Sequence, residues 1–209
     1  ILTTKEIANS YETKKKNKRG KGFVGSYFIE VPKPLNAKIE TDLLIDPYLL
    51  GVWLGDGYSS DGRIISHKND FEFYKNKFDI EHSVETNNCY RFKIKNLYGQ
   101  LKSLNLLKNK HIPQSYMRSS YEDRMELLRG LMDTDGSLRK NSRSFEFYQK
   151  KYEIVEQVVE LLSTLGIKSR IRNKSINDCL YYTVSFTTDK IVFNLPRKIK
   201  LIDTKKPLK

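Results

Sequence analysis

Two short stretches carry carboxylates in a pattern that suggests chemistry. Leu49-Leu50-Gly51-Val52-Trp53-Leu54-Gly55-Asp56-Gly57 and Leu128-Arg129-Gly130-Leu131-Met132-Asp133-Thr134-Asp135-Gly136 both read as apolar helices that end in Asp-Gly. Gly51 and Gly55 lie four apart, hence on one helix face, as do Gly130 and Thr134. Small residues at that spacing let two backbones approach closely. Packed side by side and parallel, the helices bring Asp56 and Asp135 together across an approximate two-fold axis. Gly57 and Gly136 are expected in the left-handed conformation that stops a helix. Two carboxylates at the negative ends of two helix dipoles oppose the dipoles and each other. One of them should hold its proton above the ordinary Asp range. A divalent cation removes the conflict, which makes oxygen-ligated Mg²⁺ the expected cofactor, with Mn²⁺ able to substitute. Such a metal beside a phosphodiester suits hydrolysis. One copy alone would read as an ordinary helix stop; two in matched surroundings point to a site.

The rest of the chain from Leu43 repeats in the same sense. After each Asp-Gly helix come expected strands and a helix, then a cysteine before an aromatic strand: Asn88-Cys89-Tyr90-Arg91-Phe92 and Asp178-Cys179-Leu180-Tyr181-Tyr182. The interval from Asp135 to Cys179 is longer than that from Asp56 to Cys89, so the second copy carries the extra residues. A duplicated unit of this size implies two similar half-domains. Phe-Glu-Phe-Tyr also occurs twice, at 71–74 and 145–148, but the first copy should start a helix and the second end a strand. That match is coincidence. The apolar stripe Ile154, Val155, Val158, Val159, Leu161, Leu162 and Leu165 predicts a core-facing helix near Lys151–Leu165, stopped by Gly166.

The chain has 209 residues, and 38 Lys and Arg against 25 Asp and Glu give a net charge of +13. Such an excess favours polyanionic partners, and 13 Tyr with 10 Phe argue for a folded domain and not a basic tail. Two cysteines are too few for a disulfide framework or a tetrahedral cysteine zinc site, so a reducing, cytoplasmic setting is expected. Cys89 and Cys179 are expected to be small buried residues at equivalent places. His67, His82 and His111 lie on separate segments with no ligand spacing. No apolar run approaches the roughly 18 residues that a membrane span needs.

Residues 1–42 read as an appendage, followed by half-domains at 43–118 and 119–209. Thr3-Thr4-Lys5-Glu6 fits a capping box at the start of a helix reaching about Tyr11. The basic run from Lys14 to Lys21 with Gly20 and Gly22 suggests a flexible loop, able to touch flanking DNA phosphates. A strand is expected from Phe23 to Val31, ended by Pro32 and Pro34.

The paired nonapeptides resemble the motifs of LAGLIDADG homing endonucleases, in particular the two-motif, single-chain type found inside inteins. Gly130–Gly136 departs from the consensus ending conservatively. Leu49–Gly57 is looser at Trp53 and Leu54 but keeps Gly51, Asp56 and Gly57. Ile45-Asp46-Pro47-Tyr48 before the first motif and Lys110-His111-Ile112-Pro113 before the second also match. The resemblance implies an α+β fold, a saddle of two pseudo-symmetric αββαββα halves whose antiparallel sheets lie in the DNA major groove, with the motif helices at their interface. It implies a monomeric, site-specific endonuclease that binds a long duplex and cuts both strands across the minor groove, promoting mobility of its encoding intein or intron. Asp56 and Asp135 look like the catalytic carboxylates, and the expected metal-binding set is these two with Gly55 and Thr134. Lys110 holds the position of a lysine near the scissile phosphate. Lys198 is the choice for its partner and Lys200 the rival. The alternative is a relative that keeps the fold without cutting, an intron-RNA maturase or a transcription regulator; loss of a motif aspartate is its usual sign, and both are present.

DNA contacts are expected from strand residues on the concave face: Arg63, His67 and Lys68; Arg91, Lys93 and Lys95; Arg139, Lys140 and Arg143; and Arg170, Arg172 and Lys174. Period-two spacing puts each alternating set on one strand face. Arginines there could read guanine edges while lysines hold phosphates. The opening from Ile1 to Ile7 resembles the stretch joining an intein's splicing domain to its endonuclease, and with neither a nucleophile at position 1 nor a His-Asn ending the sequence reads as an excised endonuclease portion that does not splice.

Overall fold

A computed structural model of the chain describes residues 3–9, 15–16, 23–24, 32–36, 42–139, 144–176 and 179–202. It divides into two compact units, Ile1–Pro32 and Lys33–Lys209. In the first unit, helix α1 (Thr4–Asn9) opens on the expected capping box: Glu6 N–H donates to Thr3 Oγ1 at 3.3 Å and Thr3 N–H donates to Glu6 Oε2 at 2.6 Å. Strands β1 (Lys15–Lys16) and β2 (Phe23–Val24) pair antiparallel, so part of the expected basic loop is a strand. The remainder of that run, and the expected strand beyond Val24, lie outside the described residues.

In the second unit the first copy runs α2 (Pro47–Asp56), β3 (Ile64–His67), α3 (Lys68–Lys77), β4 (Ile80–Thr86), β5 (Cys89–Ile94), α4 (Leu97–Ser103) and a short α5 (Gln114–Met117). The second runs α6 (Tyr121–Asp135), β6 (Gly136–Leu138), β7 (Ser144–Gln149), α7 (Tyr152–Thr164), β8 (Ser169–Ile176), β9 (Cys179–Thr187) and α8 (Pro196–Ile199). The sheets are antiparallel, with orders β3-β5-β4 and β6-β7-β9-β8. A single bridge between Gly57 and Ile64 stands in the first half where β6 stands in the second. Each half is therefore αββαββα, as expected.

Local chemistry explains the elements. Asp46 caps α2 by accepting from Leu49 N–H at 2.9 Å, and Pro47 takes the first helical turn, where its missing N–H costs nothing. Ser120 caps α6 in the same way through Asp123 N–H. In β5, Phe92 and Ile94 turn inward while Arg91 and Lys93 face away; in β7, Phe145 and Phe147 turn inward. α3 covers the first sheet, its Phe71 ring stacked 4.0 Å from that of Tyr90. α7 covers the second with the predicted stripe, and it ends at Gly166, φ +71°, with Ile167 N–H donating to Leu162 O at 2.8 Å.

α2 and α6 form the seam. A Cβ on Gly51 would lie 2.9 Å from Gly130 Cα and closer still to the Leu127 carbonyl oxygen, so only glycine permits this approach. Tyr48 to Leu54 are all buried, because α2 is walled by α6 and by its own sheet. Gly57 and Gly136 do not adopt the expected left-handed conformation. Their φ values are −79° and −95°, since the chain passes straight from helix into extended backbone. Glycine is needed there for room: a Cβ would meet the Trp53 ring at 2.6 Å or Met132 Cα at 2.7 Å. Cys89 is half-buried and not buried, because it stands at the turn end of the β4–β5 hairpin, paired with Thr86. The Cys179 side chain lies outside the described residues.

Candidate functional site

The parallel packing of α2 and α6 brings their C-terminal ends together. A Cβ added at Gly55 would sit 3.2 Å from Asp135 Oδ2 and inside the Thr134 side chain. Asp56 and Asp135 thus meet where the helices end. Burial pushes the Asp56 carboxyl up to about 6, opposed by the charges of Lys110 and Lys198. Asp135 is also pushed up to about 6, first by burial and then by the Asp56 charge. Both carboxyls are raised, where the sequence led to one, because removal from water acts on each and outweighs the opposing charges of Lys110 and Lys198.

Each motif helix ends on a lysine. Lys110 Nζ donates to the carbonyl oxygens of Leu54, Gly55 and Gly57 at 3.0, 3.3 and 2.6 Å. Lys198 Nζ donates to those of Met132 and Gly136 at 2.8 and 2.7 Å. The last carbonyls of a helix have no intrahelical partner and carry the dipole's negative end, so an ammonium answers both needs. Burial lowers both lysines to about 8. Lys198 occupies the place equivalent to Lys110, whereas Lys200 is exposed.

Neighbouring polar residues escaped the sequence reading. Gln149, at the inner end of β7, donates from Nε2 to Asp135 Oδ2 at 3.4 Å. The bridges Gly57–Ile64 and Gly136–Phe147 align Ser66 with Gln149, and the Ser66 hydroxyl is buried with no partner among the described residues. Counting strand register from the two Asp-Gly pairs would have pointed to both. Asp133 holds the halves together, accepting from Tyr48 OH at 2.7 Å and from the N–H groups of Asn194 and Leu195 at 2.9 and 3.0 Å.

Among the described residues no group of three or more His, Cys, Asp or Glu is placed to hold a metal. The donors that meet here are the Asp56 and Asp135 carboxylates, whose charges burial disfavours, while the Gly55 carbonyl oxygen accepts from Lys110 Nζ at 3.3 Å. Hard oxygen donors of this kind fit a divalent ion that keeps some of its waters.

The outward faces of the sheets carry much of the expected basic set. Arg91 and Lys93 face away from the core, opposite Val84 and His82 of β4. Arg63 directly precedes β3, and Arg170 and Arg172 alternate along β8 opposite Ser185 and Thr183. Lys174 keeps their register, opposite Tyr181. Arg139 is exposed just after β6. Two expectations change. Lys68 is the first residue of α3 and not a strand residue; His67 closes β3 with its Nδ1 accepting from Asn69 N–H at 3.2 Å, which starts that helix. Lys95 falls beyond β5 and pairs with Asp79 at 3.8 Å, because the strand ends at Ile94. Lys140 and Arg143 lie outside the described residues. His82, Val84 and Tyr58 join the face without having been expected; the alternation of β4 was the missed signal.

Residues 122–199 match the family described as LAGLIDADG-like domain. The LAGLIDADG fold extends over both halves: two structures of the homing endonuclease I-DmoI, one of its mesophilic variants and one of its complex with DNA and Ca, each superpose with a TM-score of 0.51 at 16% identity. Each match covers 75% of this chain and 95% of the other. In sequence the chain is 29% identical over 204 residues to the replicative DNA helicase DnaB of Mycobacterium intracellulare, covering 95% of this chain and 32% of the helicase. It is 29% identical over 164 residues to transcription initiation factor IIB of Methanocaldococcus jannaschii, covering 72% of this chain and 23% of that protein. The ATP-dependent DNA helicase Hel308 of the same organism is 27% identical over 169 residues, covering 72% and 14%. The chain spans about a third or less of the length of these curated relatives. Among the described residues no helix is long and apolar enough to cross a membrane.

Proposed function

We propose that this chain is a site-specific DNA endonuclease of the homing type, which binds a long duplex along its two sheets and hydrolyses one phosphodiester in each strand. The observation that carries this reading is the meeting of Asp56 and Asp135 at the paired ends of α2 and α6, each end seated on a lysine. The two carboxylates, with the carbonyl oxygens of Gly55 and Thr134, would hold a divalent ion, Mg²⁺ with Mn²⁺ as substitute. When bound, that ion supplies Lewis-acid stabilisation of a phosphoryl oxygen and an acidified water. Lys110 and Lys198 keep positive charge beneath the helix ends, where a phosphate approaches. The outward faces with Arg91, Lys93, Arg170 and Arg172 hold the backbone on either side. I-DmoI, of like fold, is a homing endonuclease known in complex with DNA and Ca.

Mobility is part of the proposal. A helicase, a transcription factor and a second helicase have no common activity, yet each matches this chain over a minor part of its own length. That pattern supports an element inserted into unrelated hosts, an intein's endonuclease portion, acting as a monomer wherever the host DNA resides.

The test is a linear duplex spanning the uninterrupted allele of the encoding gene, incubated with the protein in Mg²⁺ or in EDTA, beside Asp56→Asn and Asp135→Asn. Discrete double-strand cleavage that needs metal and both aspartates is the expected result. Tight binding with no cleavage under any divalent metal would instead place the chain among non-cutting nucleic-acid binders.

A further inference from the structure

Arg63 is held on two sides. Its main-chain N–H donates to Asp61 Oδ1 at 3.1 Å and its Nε–H to Asp61 Oδ2 at 2.9 Å, and its NH2 group bonds the same Oδ2. Its guanidinium lies 5.1 Å from the centre of the Tyr58 ring. Tyr58 is itself tied to Arg63 through the backbone, donating to the Arg63 carbonyl at 2.7 Å. Arg91 of the central strand reaches the same ring at 5.6 Å. A side chain fixed on both its edge and its face has little rotamer freedom left to lose on binding.

The fork that remains has a definite shape. A guanidinium carries five N–H donors in one plane. Asp61 engages Nε–H and the adjoining terminal nitrogen, which leaves the far edge, with NH1 and NH2 side by side, without a partner among the described residues. Two parallel donors match the O6 and N7 acceptors that guanine alone presents in the major groove. Ile64 is buried inward, so its neighbour Arg63 stands on the outward face with Arg91 and Lys93.

The second half is built differently at this point. The bridges that align Ile64 with Phe147 align Arg63 with Glu146, which accepts from Tyr148 OH at 2.6 Å. An ionised carboxylate only accepts, so it cannot pair with a guanine edge in the same way.

We propose that Arg63, held by Asp61 and Tyr58, reads one guanine in the half-site beneath the first sheet, and that the equivalent position of the other half-site is not read as guanine. The assignment rests on the proposed DNA-reading function.

The full-length chain would be used to select duplexes from a randomised DNA library and the enrichment of each base counted by position. The wild type is expected to enrich a consensus in which guanine is preferred about tenfold or more at one position of one half-site. Arg63→Ala should flatten that position while the preferences elsewhere persist. Arg63→Lys, which keeps the charge without the fork, and Asp61→Ala should each weaken the same position. An Arg63→Ala or Arg63→Lys protein that keeps every preference overturns the proposal. So does one whose binding weakens evenly across all sequences, the mark of a phosphate contact. A wild-type selection that yields no consensus overturns the site-specific reading beneath it, and this is seen before any variant is made.

Discussion

Arg197 grips Asp70 with both prongs of its guanidinium, Nε at 2.6 Å from Oδ1 and NH2 at 2.7 Å from Oδ2. Asp70 lies on α3 of the first half and Arg197 on α8 of the second, one residue before Lys198. The pair therefore ties the two halves together beside the motif helices. It also fixes α8, on which Lys198 must stand to reach the end of α6.

Asp70 is only 6% exposed, so removal of Arg197 strands a buried carboxylate. Arg197→Met should lower stability by about 1–3 kcal/mol, the range for an orphaned buried polar group. Asp70→Asn combined with Arg197→Met should cost less than the sum of the single changes. Urea denaturation of the four proteins in a double-mutant cycle measures this coupling, and strict additivity would contradict it.

The helix seam predicts opposite outcomes for two kinds of alanine. Gly51→Ala or Gly130→Ala drives a methyl into the facing backbone and should cost about 1–3 kcal/mol or more by overpacking. Gly99, inside α4, has nothing within 4 Å of an added Cβ, so Gly99→Ala should stabilise by about 0.5–1 kcal/mol. Thermal melts of the three variants against wild type decide it.

The raised carboxyls set a pH dependence of known sign. Folded Asp56 and Asp135 titrate near about 6, against an ordinary value of 3.8. The folded state therefore binds these protons more tightly than the unfolded one. That advantage is fully present below the ordinary value and is lost as pH rises through about 6. Asp56→Asn and Asp135→Asn remove the buried charge, so in EDTA both variants should melt above wild type at neutral and alkaline pH, with the gap closing in acid. A variant that melts below wild type at neutral pH would contradict this sign.

DNA affinity should fall steeply with salt, since the outward faces release counterions from phosphates. Arg91→Ala with Lys93→Ala should reduce the slope of log affinity against log salt by about 2, one unit for each phosphate no longer neutralised. Fluorescence anisotropy with a labelled duplex at several salt concentrations reads the slope directly. An unchanged slope would remove both residues from the phosphate-binding surface.

Amino-acid pattern alone determined the duplication, the paired Asp-Gly helices and the strand alternation, because these depend on residue type and spacing over a few turns or strand repeats. Gly51 and Gly130 announced a close helix crossing since no other residue admits it, and Lys110 was visible from its neighbours. Tertiary structure decided what depends on the meeting of distant segments. Lys198 rather than Lys200 reaches a helix end because α8 is anchored through Arg197 to Asp70, far back in the chain. Gly57 and Gly136 are extended rather than left-handed because a strand begins at once, and their small size serves the packing of Trp53 and Met132. Gln149 meets Asp135, and Arg63 is fixed by Asp61 and Tyr58, through strand register and turn geometry. Those relations join backbone segments in space, and no local period in the chain encodes them.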